Sequence, residues 1–172
     1  MLDSPLRFFT HDRLDLVVKY RFFQMLMRGP ELWEVREMYR RHIFARTGGI
    51  EPGNSTKTNL DLYLTAARVL FERMVLMGYD RSEPIPVDQW GRLRDGAHRV
   101  ACAAVLGLQV EIFEVKAQFP IRQWGIDWFL VSGFSKSYVN GLLDQLNVIT
   151  GYSGIQTGID NSKLRSRPVI RG

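Results

Sequence analysis

The first 78 residues have the hydrophobic spacing of helices rather than that of strands. Apolar residues recur three and four positions apart after Leu14, which predicts a helix that ends at Gly29-Pro30. The face of this helix that is predicted to be buried consists of Leu16, Val17, Tyr20, Phe23 and Met27.

Two more helices are predicted before Gly78. The first runs from about Glu31 to Ala45, with Trp33, Val35, Met38, Tyr39 and Ile43 as its apolar residues. Residues 47–59 are dense in turn formers and predict a loop. Asn59 or Thr58 would cap the next helix, Leu60–Met77, and Gly78 would end it. The apolar stripe predicted for that helix is Leu62, Ala66, Val69, Leu70, Met74 and Met77.

The pattern changes to short strands between residues 79 and 116. A strand is predicted at Ile85–Asp88, a tight turn at Trp90-Gly91 and a second short strand ending at Asp95. A helix then opens at Gly96, and a further strand covers 110–115. This segment therefore predicts a strand–turn–strand–helix–strand unit.

The remaining residues predict a closing helix and a tail. A break at 118–120 precedes an aromatic stretch, and Ser135 or Ser137 could cap a short helix after it. From Thr150 onward small and polar residues dominate, which predicts a flexible tail. The organisation expected is a mainly helical portion at 1–78, a core with its closing helix at 79–149, and the tail at 150–172.

Composition and length are those of one globular domain, or of one domain with an appendage. A chain of 172 residues can bury a sizeable core, and its apolar and charged fractions are ordinary. No apolar run approaches the roughly 20 residues that span a bilayer, and the start lacks a signal-peptide hydrophobic region. The only cysteine, Cys102, excludes an internal disulfide. A cytoplasmic protein without membrane association is expected.

The net charge of +5 is unevenly distributed along the chain. Four basic residues against Asp160 give residues 147–172 a charge of +3, which leaves +2 for the first 146 residues. A body so close to neutral has little overall attraction for nucleic acid, so such a partner is possible but not favoured. The densest basic cluster in the body is read as a solvated helix face; it consists of Arg36, Arg40, Arg41 and Arg46.

An acidic, an imidazole and a guanidinium side chain lie close together in the sequence, where the second predicted strand is followed by a helix. Asp95, His98 and Arg99 lie around the first helical turn, and Gly96 permits a close backbone approach. A helix N-terminus presents free N–H groups and the positive end of the helix dipole, so it favours phosphate. A guanidinium group suits phosphate oxygens, and an imidazole can act as an acid or a base. Alternatively, Asp95 is simply a helix cap.

The run Asp95-Gly96-Ala97-His98-Arg99, with its flanking strands, resembles the signature of the ParB/sulfiredoxin superfamily. The likeness covers roughly residues 83–116, about a fifth of the chain. Members include plasmid-partitioning proteins that bind CTP, sulfiredoxin, which uses ATP, and free serine kinases with an Asp-Gly-Asn-His-Arg version. The resemblance implies a small mixed sheet with helices and a phosphate site formed by residues 96–99.

Departures from each branch narrow this resemblance. Sulfiredoxin has its reactive cysteine immediately before the His-Arg pair, where this chain has Ala97, and Cys102 lies in an apolar run typical of a core. Partitioning proteins carry a helix-turn-helix region after this unit, and the residues after Lys116 contain no convincing recognition helix. The free serine kinases differ only by asparagine at position 97 and are the nearest branch.

Two other segments are candidate parts of a site. Lys57, in the glycine-containing loop, could contact a nucleotide, although a plain connector is an equal alternative. Asp12 and Asp15 lie three residues apart and would share one helix face able to hold Mg²⁺ or accept a hydroxyl proton. An acidic first helical turn is the alternative for this pair. Asp95 is the third candidate metal ligand.

The sequence therefore predicts an α/β (α+β) protein of the ParB/sulfiredoxin-like type. The function expected from the resemblance is phosphotransfer from ATP or another nucleotide, with Mg²⁺, to a small hydroxylated metabolite. Two alternatives remain open. One is a nucleotide-binding or DNA-associated regulatory module without turnover, and the other is a ParB-like nuclease.

Overall fold

In the computed structural model, the residues described are 1–29, 32–50, 58–116 and 123–151. They form a mixed α+β protein that is mostly helical. The helices are α1 (Leu14–Arg28), α2 (Trp33–Thr47), α3 (Leu60–Met77), α4 (Ala97–Leu106), α5 (Ile126–Val131) and α6 (Lys136–Thr150). The strands are β1 (Leu2–Asp3), β2 (Ile85–Val87) and β3 (Val110–Glu114), and a short 3-10 helix covers Pro5–Phe8.

The strands form a sheet in the order β1-β3-β2. β3 pairs antiparallel with β1, where Leu2 faces Glu111, and parallel with β2, where Ile85 faces Ile112. The position of β2 at the edge explains why Pro86 is tolerated in it, since an edge strand need not donate on its outer side. The α4 helix forms the crossover between the parallel strands β2 and β3.

Local signals place most helix ends where the sequence predicts them. Asn59 caps α3 by accepting a hydrogen bond from the Leu62 N–H at 3.0 Å, and α3 ends before Gly78. Ser135 caps α6 by accepting from the Tyr138 N–H at 3.2 Å. Gly96 is the cap of α4. These assignments are confirmed. The sequence could predict them because a cap depends on residues within one helical turn.

Three details of the predicted elements are wrong. The second strand of the 85–95 segment is reduced to one isolated bridge between Leu93 and Val87. The second helix continues to Thr47 and ends at the left-handed Gly48 rather than at Ala45. Half of the apolar stripe predicted for α3 is exposed, namely Leu62, Val69 and Met77, whereas Met74 is buried as predicted. The helix also buries Tyr63, Leu64 and Ala67, which the predicted stripe left out.

The core is built around α1. This helix buries residues on nearly every side, and it contacts α2, α3, α4 and α6. The buried apolar residues of the N-terminal helices and of the 79–149 segment form one cluster. The tail predicted at 150–172 lies outside the described residues from position 152 onward. Among the described residues, no helix combines the length and the apolar character needed to cross a membrane.

Candidate functional site

The start of α4 is shaped by Gly96. This residue has φ of 83° and ψ of 20°, a left-handed conformation that glycine adopts without steric penalty. A Cβ atom placed on Gly96 would lie 2.7 Å from Cδ1 of Ile85 and 3.2 Å from Nη2 of Arg99. Both the backbone conformation and the close approach to β2 therefore require glycine. The cap residue Gly96 has no side chain to accept a hydrogen bond, so within the described part of the chain no side chain caps the first-turn N–H groups of α4.

His98 points from α4 toward the N-terminal helices. Its Nε2 atom lies 2.8 Å from the hydroxyl oxygen of Tyr39 on α2, and its ring meets Phe23 of α1 edge to face. Tyr39 is fully buried, whereas His98 is half-buried. The ring is therefore held by a hydrogen bond and by aromatic packing. Sequence reasoning missed Tyr39, which reads as one apolar position of a helix.

Arg99 turns the other way, toward the end of the loop that precedes β2. Its Nη1 group donates a hydrogen bond to the carbonyl oxygen of Glu83 and lies 3.9 Å from that residue's Oε2. The Tyr79 hydroxyl donates to the same carbonyl at 2.7 Å. Glu83 also forms an ion pair with Arg73 at 3.1 Å. Arg99 thus forms a long salt bridge with Glu83 alongside a backbone contact.

Asp95 and Ala97 complete the Asp-Gly-Ala-His-Arg run. Asp95 is exposed and lies one residue before the cap, so its interpretation as the helix cap is wrong. Ala97 is the first residue of α4. The structure thus keeps the Asp95 carboxylate in solvent and orients the side chains of His98 and Arg99 toward different neighbours.

The turn before this run is organised by Asp88, a residue that sequence reasoning did not select. Its buried carboxylate accepts hydrogen bonds from the N–H groups of Trp90 and Arg92 and from Nε of Arg92. The guanidinium carbon of Arg92 lies 4.5 Å from the centre of the exposed Trp90 ring. The spacing of an aspartate three residues before Gly91 was the available signal for this turn.

A cavity of about 340 Å³ lies beside this turn, at the N-terminal side of α1. Asp12 and Arg13 contribute to its wall, together with Trp90 and Arg92. Arg13 also donates from Nη1 to the carbonyl oxygen of Leu93 at 3.3 Å, which joins the start of α1 to the segment just before Asp95.

The two aspartates predicted to share a helix face are separated instead. Asp12 precedes α1 and is exposed, and its carbonyl oxygen accepts from the Trp124 N–H at 2.9 Å. Asp15 is fully buried and accepts hydrogen bonds from Arg13 at 2.8 and 3.1 Å and from Nζ of Lys19 at 2.8 Å. Burial alone would raise the pKa of the Asp15 carboxyl, but Lys19 and Arg13 outweigh it and hold that pKa well below its usual value.

Asp15 is therefore unsuited to bind Mg²⁺, because its oxygens are already engaged by two cations. Asp12 and Asp95 remain exposed carboxylates that could bind a hydrated magnesium ion through one oxygen each. Within the part of the chain that the structure describes, no three His, Cys, Asp or Glu side chains are grouped to hold a metal ion. Lys57, the cofactor-binding candidate of the loop, lies outside the described residues.

Cys102 is confirmed as a core residue. Its side chain is fully buried, and burial raises the pKa of the thiol to about 12. A thiol that is protonated at neutral pH is a poor nucleophile, so the cysteine chemistry of sulfiredoxin has no suitable group at this position.

No family model matches this chain, and neither a curated protein nor a solved structure similar to it was found. A functional assignment therefore depends on the chemistry of the described side chains and on the short resemblance around residues 95–99.

Proposed function

We propose that this protein has a ParB/sulfiredoxin-like fold and is a nucleotide-dependent phosphotransferase acting on a small hydroxylated metabolite. The observation that supports it most is the start of α4, where a left-handed glycine leaves the helix without a side-chain cap. First-turn N–H groups have no intrahelical acceptor, and they are favourable partners for phosphate oxygens. The likeness of residues 95–99 to the free serine kinases supports the same reading.

In this proposal, the N–H groups of residues 97–99 hold the phosphates of ATP or another nucleotide. Mg²⁺ would be bound chiefly by phosphate oxygens, with Asp95 as a protein ligand. The imidazole of His98 and the guanidinium of Arg99 would stabilise negative charge on the transferred group, since phosphoryl transfer depends mostly on positioning and electrostatics. Arg99 would exchange its Glu83 contact for phosphate.

The reaction breaks the bond between the terminal phosphorus and its bridging oxygen and forms one to the hydroxyl oxygen of the acceptor. The electron pair of the broken bond stays on the departing nucleotide. The hydroxyl proton passes to a carboxylate, for which the exposed Asp95 and Asp12 are the candidates. Tyr39 would act as a positioning residue, because its hydroxyl contacts His98 and not the substrate.

Thermal denaturation with ATP, ADP or CTP in the presence of Mg²⁺ tests this proposal. A nucleotide at about 100 times its dissociation constant should stabilise the wild-type protein by roughly 2.7 kcal/mol. We expect His98→Gln and Arg99→Met to reduce that stabilisation and Arg81→Met, which changes an exposed arginine, to retain it. Incubation with a metabolite pool should then give phosphorylated products that depend on the nucleotide.

The proposal fails if no nucleotide stabilises the protein, or if the two α4 variants respond as the wild type does. A second candidate function is nucleotide binding without turnover. It is favoured by one observation, namely that His98 and Arg99 already have partners in Tyr39 and Glu83. Stabilisation by a nucleotide with no phosphorylated product from any acceptor would select this second candidate.

A further inference from the structure

A second group of ionisable side chains lies between α1 and α2, apart from the start of α4. We call it the buried cationic cluster, and it consists of Arg13, Asp15, Lys19, His42 and Arg46. Asp15, Lys19 and His42 have no exposed surface, and only 13% of the Arg13 side chain is exposed. Sequence reasoning missed this cluster because a lysine, a histidine and an arginine on helices resemble a solvated face.

Among the described residues, hydrogen bonds satisfy Asp15, Arg13 and Lys19 but leave His42 and Nε of Arg46 without a partner. Among the described residues, the Lys19 ammonium group donates to Asp15 alone, to Oδ2 at 2.8 Å and to the carbonyl oxygen at 3.3 Å. In the described part of the chain, neither ring nitrogen of His42 has a hydrogen-bond partner, and the buried Nε of Arg46 has none. A neutral imidazole thus leaves one donor and one acceptor unpaired in the interior.

Among the described residues, the cluster holds one carboxylate, that of Asp15, against several cations. Burial and the nearby charge of Lys19 hold the pKa of His42 well below its usual range, so the ring is neutral. Burial lowers the pKa of Lys19 to about 8, although Asp15 opposes that change. At pH 7 the three cations Arg13, Lys19 and Arg46 therefore face one carboxylate, with an excess of two positive charges. Lys19 is fully enclosed, whereas Arg13 and Arg46 are half-buried. Positive charge beside an enclosed ammonium group is unfavourable unless it is paired, so packing alone gives little reason for this arrangement.

The surroundings strengthen any interaction with an anion because they are aromatic. The His42 ring stacks on Phe129 at 5.7 Å, with an angle of 13° between the rings, and it meets Trp128 edge to face. The guanidinium carbon of Arg46 lies 5.8 Å from the centre of the Trp124 ring. In such a low-dielectric environment, a charged hydrogen bond is worth more than it is in water.

We propose that the buried cationic cluster is a binding site for an oxyanion, the phosphate or carboxylate group of a small ligand. Lys19 and Arg46 supply positive charge to the oxyanion, and His42 and Nε of Arg46 donate their unpaired N–H groups. Asp15 holds Lys19 and Arg13 in place from the opposite side. Of the cluster's residues, Arg13 alone lines the 340 Å³ cavity, so the remainder of the ligand would extend past Arg13 into it.

The site is independent of the start of α4 and of phosphotransfer. It requires only that an anion replaces the missing hydrogen-bond partners. The competing explanation is that the cluster is purely structural and joins α1 to α2. The two differ in a measurable way, because a purely structural cluster does not respond to anions.

The three histidines allow a site-specific test by NMR. The full-length protein is labelled with ¹⁵N at its histidine side chains, and inorganic phosphate, sulfate or acetate is added at constant ionic strength. The resonances are assigned with His42→Phe and His98→Gln. We expect the His42 resonances to shift in a saturable manner. Similar affinities for phosphate and sulfate would indicate a site for a tetrahedral oxyanion. A higher affinity for acetate would indicate a site for a carboxylate.

Arg46→Gln should lower the affinity of the anion, measured at the His42 resonances, about tenfold or more. Hydrogen bonds to charged groups contribute about that much to binding. Arg41→Gln is the matched control, because Arg41 lies on the same helix and is exposed. Arg99→Met should leave the His42 response intact, which separates this site from the one at α4. The proposal is overturned if His42 resonances do not respond to any of the three anions, or if Arg46→Gln responds as the wild type does.

A melting experiment gives a second readout that does not depend on NMR assignment. His42→Phe keeps the ring packing and removes the unpaired nitrogens, so in anion-free buffer it should melt at or above the wild-type temperature. It should also lose the stabilisation that phosphate gives the wild type. If phosphate raised the melting temperature of the wild type and of His42→Phe equally, the proposal would be contradicted.

Discussion

At the scale of single residues, the partners of a side chain decide its chemistry more than its type does. His98 and His42 are both imidazoles near aromatic rings, but His98 contacts a hydroxyl while His42 has no hydrogen-bond partner among the described residues. Asp12 and Asp15 differ in the same way, since one is exposed and the other is enclosed by cations. The distinction depends on neighbours that are far away in sequence.

Asp15→Asn should lower the free energy of unfolding by about 3–5 kcal/mol, because the change leaves Lys19 and Arg13 buried without their counter-ion. Asp61→Asn is the matched control, since Asp61 pairs with Arg40 while 79% of its side chain is exposed. That control should cost less than about 1 kcal/mol. Urea denaturation of the three proteins measures both values, and equal losses would refute the role given to Asp15.

The same substitution should change the dependence of stability on pH. The folded pKa of Asp15 lies below its ordinary value of 3.8, so the carboxylate stabilises the protein above that pH, and the contribution is lost as the pH falls below it. Asp15→Asn should therefore lose less stability than the wild type between neutral and acid pH, whereas Asp61→Asn should follow the wild type.

At the scale of elements, helix boundaries and helix faces are set by different forces. α1 was predicted as a helix with one buried stripe, yet it is buried on nearly every side because four other helices contact it. Its mostly apolar composition, with buried residues at consecutive positions from Leu14 to Lys19, is typical of a central helix. In α3, Leu62 of the predicted stripe is 38% exposed, whereas Leu64, which was left out of it, is 5% exposed.

Leucine-to-alanine changes in α3 test which face is buried. Leu64→Ala should lower the free energy of unfolding by about 2–5 kcal/mol, because it removes buried methyl groups and leaves a cavity. Leu62→Ala is its matched control and should change stability by about 0.5 kcal/mol. Chemical denaturation measures both free energies, provided that the dependence of the unfolding free energy on denaturant concentration is the same in the variants and the wild type. A larger loss of unfolding free energy for Leu62→Ala than for Leu64→Ala would show that the face predicted from periodicity is the buried one.

At the scale of the whole molecule, the N-terminal helices and the 79–149 segment share one core. α4 packs against α1, the 3-10 helix and α3, and the hydrogen bond between Tyr39 and His98 joins residues 59 positions apart. The sheet is small, so most burial comes from helix packing around α1. A protein of this size with a shared core is expected to unfold in one step.

Urea unfolding followed by far-UV circular dichroism and by tryptophan fluorescence should therefore give coincident transitions. Trp33→Phe sharpens the test, because Trp33 is 72% exposed and its removal leaves tryptophans only in residues 79–149. Circular dichroism then reports all helices, while fluorescence reports the later segment. Two separated midpoints would show that the helical portion and the 79–149 segment unfold independently.

The sequence alone determined the features that act over one or two helical turns. Asn59 and Ser135 as caps, Gly96 at the start of α4, and the strands β2 and β3 were readable, because a cap or a positive φ depends on adjacent backbone. The strand predicted directly before Gly96 was not, since it is reduced to one bridge. Cys102 was correctly read as a core residue from its apolar neighbours.

Only the tertiary structure decided which helix faces are buried and which charged groups meet. The contact of His98 with Tyr39, and the enclosure of Lys19 and His42, depend on how α1, α2 and α4 cross. Periodicity marks an apolar face only when a helix has one partner, and it fails for helices packed on several sides. Burial of a charge likewise depends on partners supplied by other elements, which no local pattern in the chain encodes.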